Sequence, residues 1–231
     1  MTAENPFEPG LTGRAVLVAG ASGGIGSAVA RELAGRGATL TLVGRRAEAL
    51  DRLDIPGLRL PLDLRSPKAC QEAVEGARAA AGRLDAVVNA VGVVAFGPVA
   101  ELTIDTMEEL FLTNAFVPVM LAKAALAHLE PGGVLVNISG VIAEQNLPGM
   151  AVYGSSKAAV AAFDQALARE ARRSGIRVLD ARPPHTETGL AQRPIQGTAP
   201  RMPEGLAPER VAEVICDAIQ QGVDDLPSSS F

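Results

Sequence analysis

The 231-residue sequence contains no tryptophan and a single tyrosine, and aromatic residues make up only 3% of it. Because 48% of the chain is nevertheless hydrophobic, any buried core has to be assembled from Ala, Val, Leu and Ile. The only cysteines, Cys70 and Cys216, lie far apart, which gives no basis for a disulfide framework or a metal site; no metal is expected. Basic charge is outnumbered, with 21 Lys and Arg against 26 Asp and Glu and a net charge of −5. That balance argues against a nucleic-acid surface. No apolar run is long enough to span a bilayer, so no membrane partner is expected. The opening "MTAENPFEPG" lacks the charged start and apolar core of a secretory signal. The expectation is a soluble cytoplasmic protein with one domain over residues 1–231.

What the chain has is alternation. "RAVLVAG" (14–20), "ATLTLVG" (38–44), "LRLPLDL" (58–64), "LDAVVNA" (84–90), "GGVLVNIS" (132–139) and "IRVLDAR" (176–182) read as strands. Between the first two, Ile25, Val29 and Leu33 recur at four-residue spacing, with Gly35 and Gly37 as stops. A short helix is expected in "RAEALDRL", and another after Ser66 as cap with Pro67 at the first helical position. Residues 103–129 read as helical with a kink at Pro118, residues 151–174 as a long helix ended by Gly175, and a last helix opens at Pro208. Residues 183–207 read as a long irregular loop, and 223–231 carry no assignment. Helices alternating with continuous Val/Leu/Ile strands predict an α/β fold, a doubly wound parallel sheet with helices on both faces. Ligands of such sheets bind at the carboxyl ends of the strands, where strand order reverses.

The first strand runs into "AGASGGIG" (19–26), a turn with Gly20, Gly24 and Gly26 before a helix. Glycines here let the backbone come close to a pyrophosphate seated on the helix N-terminus. The spacing is G-x-x-x-G-x-G. Together with "NAVG" (89–92), "YGSSK" (153–157) and "PPHTET" (183–188) in that order, it resembles the short-chain dehydrogenase/reductase family over nearly the whole chain. The family's motifs are T-G-x-x-x-G-x-G, N-N-A-G, Y-x-x-x-K and P-G-x-x-x-T. This chain departs at Ala19, where the family has threonine, and at Pro184, where it has glycine. The resemblance implies a single Rossmann-like catalytic domain. It also implies a cofactor site of Gly20, Ser22, Gly24, Ile25, Gly26, Asp63, Leu64, Asn89, Ala90, Gly92, Tyr153, Lys157 and Thr188, joined by Arg45 and Arg46. Asp63 would hold the adenine amino group, Asn89 would support the site and Thr188 would face the nicotinamide amide.

Tyr153 and Lys157, the latter one of only three lysines, stand four apart on one helical face. Hydride transfer to a carbonyl creates an alkoxide that needs a proton. A phenol with a pKa near 10 is a poor acid at neutral pH, and a neighbouring ammonium lowers that value. Tyr153 is therefore the expected general acid in reduction and base in oxidation, with Lys157 tuning it and, by the resemblance, binding the nicotinamide ribose. Asn114 is a polar residue within an apolar helix and needs a partner; the family uses it to hold a water that links the lysine to solvent. The family's serine is missing: "NISG" puts Gly140 at its position and Ser139 one residue earlier. Two readings of Ser139 stay open, reach to the substrate oxygen or a structural part. Losing an oxyanion donor costs ~10²–10³ in rate, and Gly140→Ser is expected to restore some of it.

After the second strand "GRR" offers Arg45 and Arg46 where NAD enzymes carry an acid. Guanidinium suits a phosphate, so NADP(H) is expected, with NAD(H) the alternative; Gly23, where many NADP-preferring members carry Arg or Lys, weighs the other way. The substrate is expected to be a small or medium carbonyl or secondary alcohol. Phe96, Leu147, Met150 and Leu190 are expected as apolar walls, and 183–207 as the substrate loop. Helices 103–129 and 151–174 are apolar on more than one face; in the family this pair forms a subunit interface, so a homodimer or homotetramer is implied. The competing reading is a cofactor-binding regulatory or weakly active member, motivated by Gly140.

Overall fold

The computed structural model describes residues 10–145 and 147–231. The leader reading made on residues 1–9, and Asn146 of the expected wall segment, lie outside the described residues. In chain order the elements are β1 (Ala15–Ala19), α1 (Gly24–Gly35), β2 (Thr39–Gly44), α2 (Ala47–Asp51), β3 (Leu58–Pro61), α3 (Pro67–Ala81), β4 (Ala86–Asn89), α4 (Ile104–Phe111), α5 (Val117–Ala125), β5 (Val134–Ile138), α6 (Ala151–Ala171), β6 (Arg177–Ala181), α7 (Pro208–Gln221) and β7 (Asp225–Leu226). The seven strands form one sheet in the order β3-β2-β1-β4-β5-β6-β7, every pairing parallel. The doubly wound expectation holds. Strand order reverses between β1 and β4, which puts the glycine turn and "NAVG" on either side of the crevice where such sheets bind ligands.

Alternate strand residues face opposite layers, because side chains leave a strand with period two. Val16, Val18, Leu42, Val88 and Val136 pack against Val29 and Leu33 of α1 and Val211, Ile215 and Ile219 of α7. Leu17, Val87, Leu135 and Val178 face α3, α5 and α6, with Val74, Leu121 and Leu167 in contact layers. The core is aliphatic, as a chain without tryptophan requires. Left-handed glycines Gly82 and Gly222 stop α3 and α7. Among the described residues no helix is long and apolar enough to cross a membrane.

Three local expectations are corrected. Ser66 stands at the start of α3 with extended backbone, but its side chain makes no capping bond; Pro67 at the first position carries the start alone. The kink assigned to Pro118 lies upstream, where Leu112–Phe116 forms a π-helical turn between α4 and α5, and Pro118 occupies the first turn of α5. Phe116 and Val117 keep helical backbone, so the run continues through Pro118, whose ring nitrogen cannot donate to the preceding turn; the widened turn before it contains Asn114. Finally, the unassigned tail adds β7 to the β6 edge.

Candidate active site

Each glycine of the first turn leaves room for a different piece of backbone. A Cβ on Gly20, whose φ is +77°, would lie 2.8 Å from the Ala90 carbonyl group, and one on Gly26 would lie 2.1 Å from Gly20 O. A Cβ on Gly24 would lie 2.3 Å from Cβ of Thr188. The three motifs the sequence placed far apart, 19–26, 89–92 and 183–188, therefore meet at one point. The first turn of α1 opens there with neither a side-chain cap nor an acidic residue, which leaves its first N–H groups without a side-chain acceptor. Ile25 packs against the α1/α7 core and Leu64 is buried in the opposite layer.

At the end of β2 a Cβ on Gly44 would lie 3.1 Å from Ser22 Oγ. Ser22 and the exposed Arg45 and Arg46 thus lie around one strand end. Asp63 is also exposed, but its carboxylate is held by Arg65 at 3.0 and 2.6 Å, and Arg65 continues to Glu109 at 3.0 Å. Those bonds keep the Asp63 carboxyl below the usual range. Asn89 is buried beneath the site: it accepts from Val91 N at 3.2 Å and donates to Asn137 at 3.0 Å. Its support of "NAVG" is through the backbone of that turn.

Asn114 ties three segments together. Its amide donates to Val93 O at 2.9 Å and to Ser156 Oγ at 3.0 Å, and its Oδ1 accepts from Val93 N at 2.9 Å. The π-helical turn is what aims it at α6; such turns recur at functional sites. A Cβ on Gly92 would lie 3.4 Å from Asn114 Oδ1 and 3.6 Å from Lys157 Nζ. The structure therefore brings Gly92, Asn114 and Lys157 together, with Tyr153 one turn before the lysine on α6.

Burial sets the protonation of the pair. Lys157 Nζ donates to Ile138 O at 2.6 Å, and loss of solvent pulls the lysine down to about 8 against the pull of Asp180 and Asp164. Loss of solvent pushes the Tyr153 phenol up to about 12. The expected lowering of the phenol by its neighbour is not seen, burial alone setting the direction. The phenol starts fully protonated, the form an acid needs.

Ser139 does not join these residues. It is fully buried, and its hydroxyl donates to Asp180 Oδ1 at 2.5 Å, while Arg182 binds Oδ2 of the same carboxylate at 2.6 Å. Of the two readings left open, the geometry matches the structural one. Gly140 occupies φ +81°, ψ 163°, a region essentially reserved for glycine. A Cβ there would have space, its nearest neighbour being Pro183 O at 3.8 Å; the obstacle is backbone hand. Gly140→Ser is accordingly expected to lower stability by about 1–3 kcal/mol, read as a fall in thermal midpoint. An unchanged midpoint would show that the segment relaxes at no cost.

The 183–207 loop is irregular but anchored. Thr186 bridges Leu206, Ile195 N donates to Val94 O at 2.9 Å, and Phe96 N donates to Gln196 O at 3.0 Å. Gly97 N donates to Gly149 O at 2.8 Å, drawing in the segment after β5. Phe96 is buried within this junction, whereas Leu147 is exposed and Met150 and Leu190 are half-buried. The loop itself forms an open cleft of about 510 Å³ lined by residues that include His185, Glu187, Gln192 and Met202. Sequence reading missed Asn137, Ser156, Asp164, Asp180 and Arg182. Asn137 and Asp180 were visible as polar residues inside apolar strands, and Asp164 as a lone acid in the Ala-rich stretch of α6.

Residues 14–197 match the family model described as short chain dehydrogenase. The hydroxynaphthalene reductase arp2 of Aspergillus fumigatus is 32% identical over 73% of this chain; the match spans 64% of that protein. An uncharacterized oxidoreductase of Methylorubrum extorquens is 34% identical over 73% of this chain and 71% of its own length. A short chain dehydrogenase from Burkholderia cenocepacia, solved in complex with NADP, superposes with a TM-score of 0.83 at 26% identity, covering 95% of this chain and 98% of that one. Matched fold, matched motifs and a family model over most of its length agree: the chain belongs to the short-chain dehydrogenase/reductase family.

Proposed function

We propose that this chain is a carbonyl reductase that uses NADP(H) and runs in reverse as a secondary-alcohol dehydrogenase. The observation that carries the reading is the convergence of the glycine cradle, Gly92, Asn114 and Lys157 beside Tyr153 at the carboxyl edge of the sheet. The turn suits a dinucleotide: without side chains, Gly24 and Gly26 let Thr188 and the Gly20 carbonyl pack close, the tight backbone turn that a pyrophosphate site on a helix N-terminus needs. Gly20, Gly24 and Gly26 with the α1 N-terminus would hold the pyrophosphate, Ser22, Arg45 and Arg46 the ribose phosphate, and Asp63 and Leu64 the adenine end. Asn89, Ala90 and Gly92 shape the floor, Thr188 the lid side, and Lys157 the nicotinamide ribose. When bound, the nicotinamide supplies the hydride. Tyr153 then donates its phenolic proton to the substrate oxygen, Lys157 stabilises the resulting phenolate, and Asn114 keeps α6 registered on the 93 turn. The Burkholderia complex with NADP supports the cofactor choice. Exposed Ile104, Phe116 and Val119 on α4, the π turn and α5 support a homo-oligomer through that face.

The test is separate titration with NADPH and NADH, followed by cofactor oxidation on a panel of ketones and aldehydes that includes hydroxynaphthalene-type substrates. NADPH is expected to bind more tightly and to be oxidised. Replacing Arg45 and Arg46 together by alanine is expected to weaken NADPH about tenfold or more, the scale of lost charge-assisted bonds, while leaving NADH unchanged; equal losses for both cofactors would remove the phosphate assignment. The second reading, a cofactor-binding regulatory member, is favoured by Ser139 being bound to Asp180 and by the missing side chain at Gly140. Tight NADPH binding without turnover across the panel is its signature.

A further inference from the structure

A buried polar row lies behind the active site, and one oxygen in it lacks a hydrogen-bond partner among the described residues. Asn89 on β4 donates to Asn137 on β5 at 3.0 Å, and Asn137 donates to Oδ1 of Asp164 on α6 at 2.7 Å. Asp164 is 2% exposed, and its other oxygen, Oδ2, is buried with no hydrogen-bond partner. An ionised carboxylate in that position is unfavourable unless a cation compensates it.

A buried lysine, Lys157, shares its helix. It stands seven residues earlier on α6, two turns away on the same face. Its Nζ is fixed to the carbonyl of Ile138, the residue after the Asn137 that holds Asp164. Lys157 and Asp164 therefore tie α6 to consecutive residues at the end of β5. The other charges nearby are accounted for. Asp180 on β6 acts on both groups, but it is paired with Arg182 at 2.6 Å and accepts from Ser139 at 2.5 Å. β4 and β5 present the neutral amides of Asn89 and Asn137, and the one charged residue of α5, Lys123, is exposed. Burial pushes Asp164 up to about 8 and pulls Lys157 down to about 8, and their mutual attraction opposes both shifts.

We propose that Asp164 is the buried counter-charge of Lys157, a positioning residue whose carboxylate holds the lysine in its ammonium form. It acts on the reaction only through Lys157, and so rests on the assignment of Lys157 as the cation that tunes Tyr153. The proton balance is simple: Asp164 releases its proton to solvent as pH rises, and the negative charge left behind retains the proton on Nζ.

The test needs neither substrate nor cofactor, so its failure is read separately from failure of the functional reading. With only Lys68, Lys123 and Lys157 in the chain, carbon-13 labelling at lysine Cε gives three signals to follow through a pH titration of the intact protein. Asp164→Asn is isosteric and keeps the acceptor for Asn137. It is expected to lower the Lys157 midpoint by about half to one pH unit, a three- to tenfold loss in proton affinity, with Lys68 and Lys123 unmoved. A residue that only packed the helix would leave the midpoint where it was, and that result overturns the proposal. Should the variant not fold, infrared titration of the wild type decides: every buried carboxyl is expected to have ionised before Lys157 loses its proton. A buried carboxyl still protonated after Lys157 has lost its proton overturns the proposal as well.

Discussion

Tyr153→Phe is expected to bind NADPH as the wild type does and to lower turnover by about 10²–10⁴, the value of a positioned acid. The substitution removes one oxygen and leaves the ring, so the packing of the first turn of α6 is kept. That turn is held by other groups: Ser156 Oγ donates to Tyr153 O at 2.7 Å and receives from Asn114, and Lys157 is bonded to Ile138 O. None of these bonds uses the phenol. The size of the loss follows from chemistry the rest of the site does not duplicate. Ser139 is committed to Asp180 and Gly140 carries no donor, so the alkoxide formed on hydride transfer finds no second side-chain hydroxyl from this strand end. Fluorescence titration with NADPH and steady-state reduction of a ketone from the panel separate binding from chemistry. A variant with wild-type turnover and wild-type affinity would remove Tyr153 from its role.

What could be read in the sequence, and what could not, divides along physical lines. Parallel order followed from strands that are continuously apolar, because only a sheet covered on both faces hides them. The glycine turn was legible because φ and close approach select glycine whatever the neighbours are. Gly92, Asn114 and Lys157 were each named in advance, but their meeting required knowing that a π turn swings Asn114 toward α6. A widened turn leaves no spacing signature that separates it from a proline kink, which is why Pro118 was credited with it. The side-chain direction of Ser139 was equally hidden. Strand alternation puts residues 137 and 139 on one face, but whether that face held substrate or core depended on Asp180, on the next strand and 41 residues away. Asp63 illustrates the same limit: a motif gives its position, but its engagement by Arg65 is a contact between neighbours that no motif records.

The second large effect is expected at Gly26→Ala. In a helix interior this exchange usually stabilises, since alanine has the higher helix propensity. Here the new Cβ would lie 2.1 Å from Gly20 O and 2.8 Å from Gly20 C, both backbone atoms that cannot rotate aside. Nor can Gly20 retreat: it is itself packed on the carbonyl group of Ala90, and its N–H is bonded to Val43 O at 2.9 Å. The strain therefore passes from α1 to the 90–92 turn, and through Gly92 toward Asn114 and Lys157. Overpacking of this kind costs about 1–3 kcal/mol, and cofactor affinity is expected to fall roughly ten- to a hundredfold over that range. Gly35→Ala supplies the contrast on the same helix. Its Cβ would meet nothing within 4 Å, so it should leave NADPH binding unchanged and add up to about 0.5–1 kcal/mol of stability. Melting curves with and without NADPH for both variants make the comparison. If the two bind NADPH equally well, the crowded contact at Gly20 does not define the cofactor cradle, and the dinucleotide would have to be held elsewhere along the carboxyl edge of the sheet.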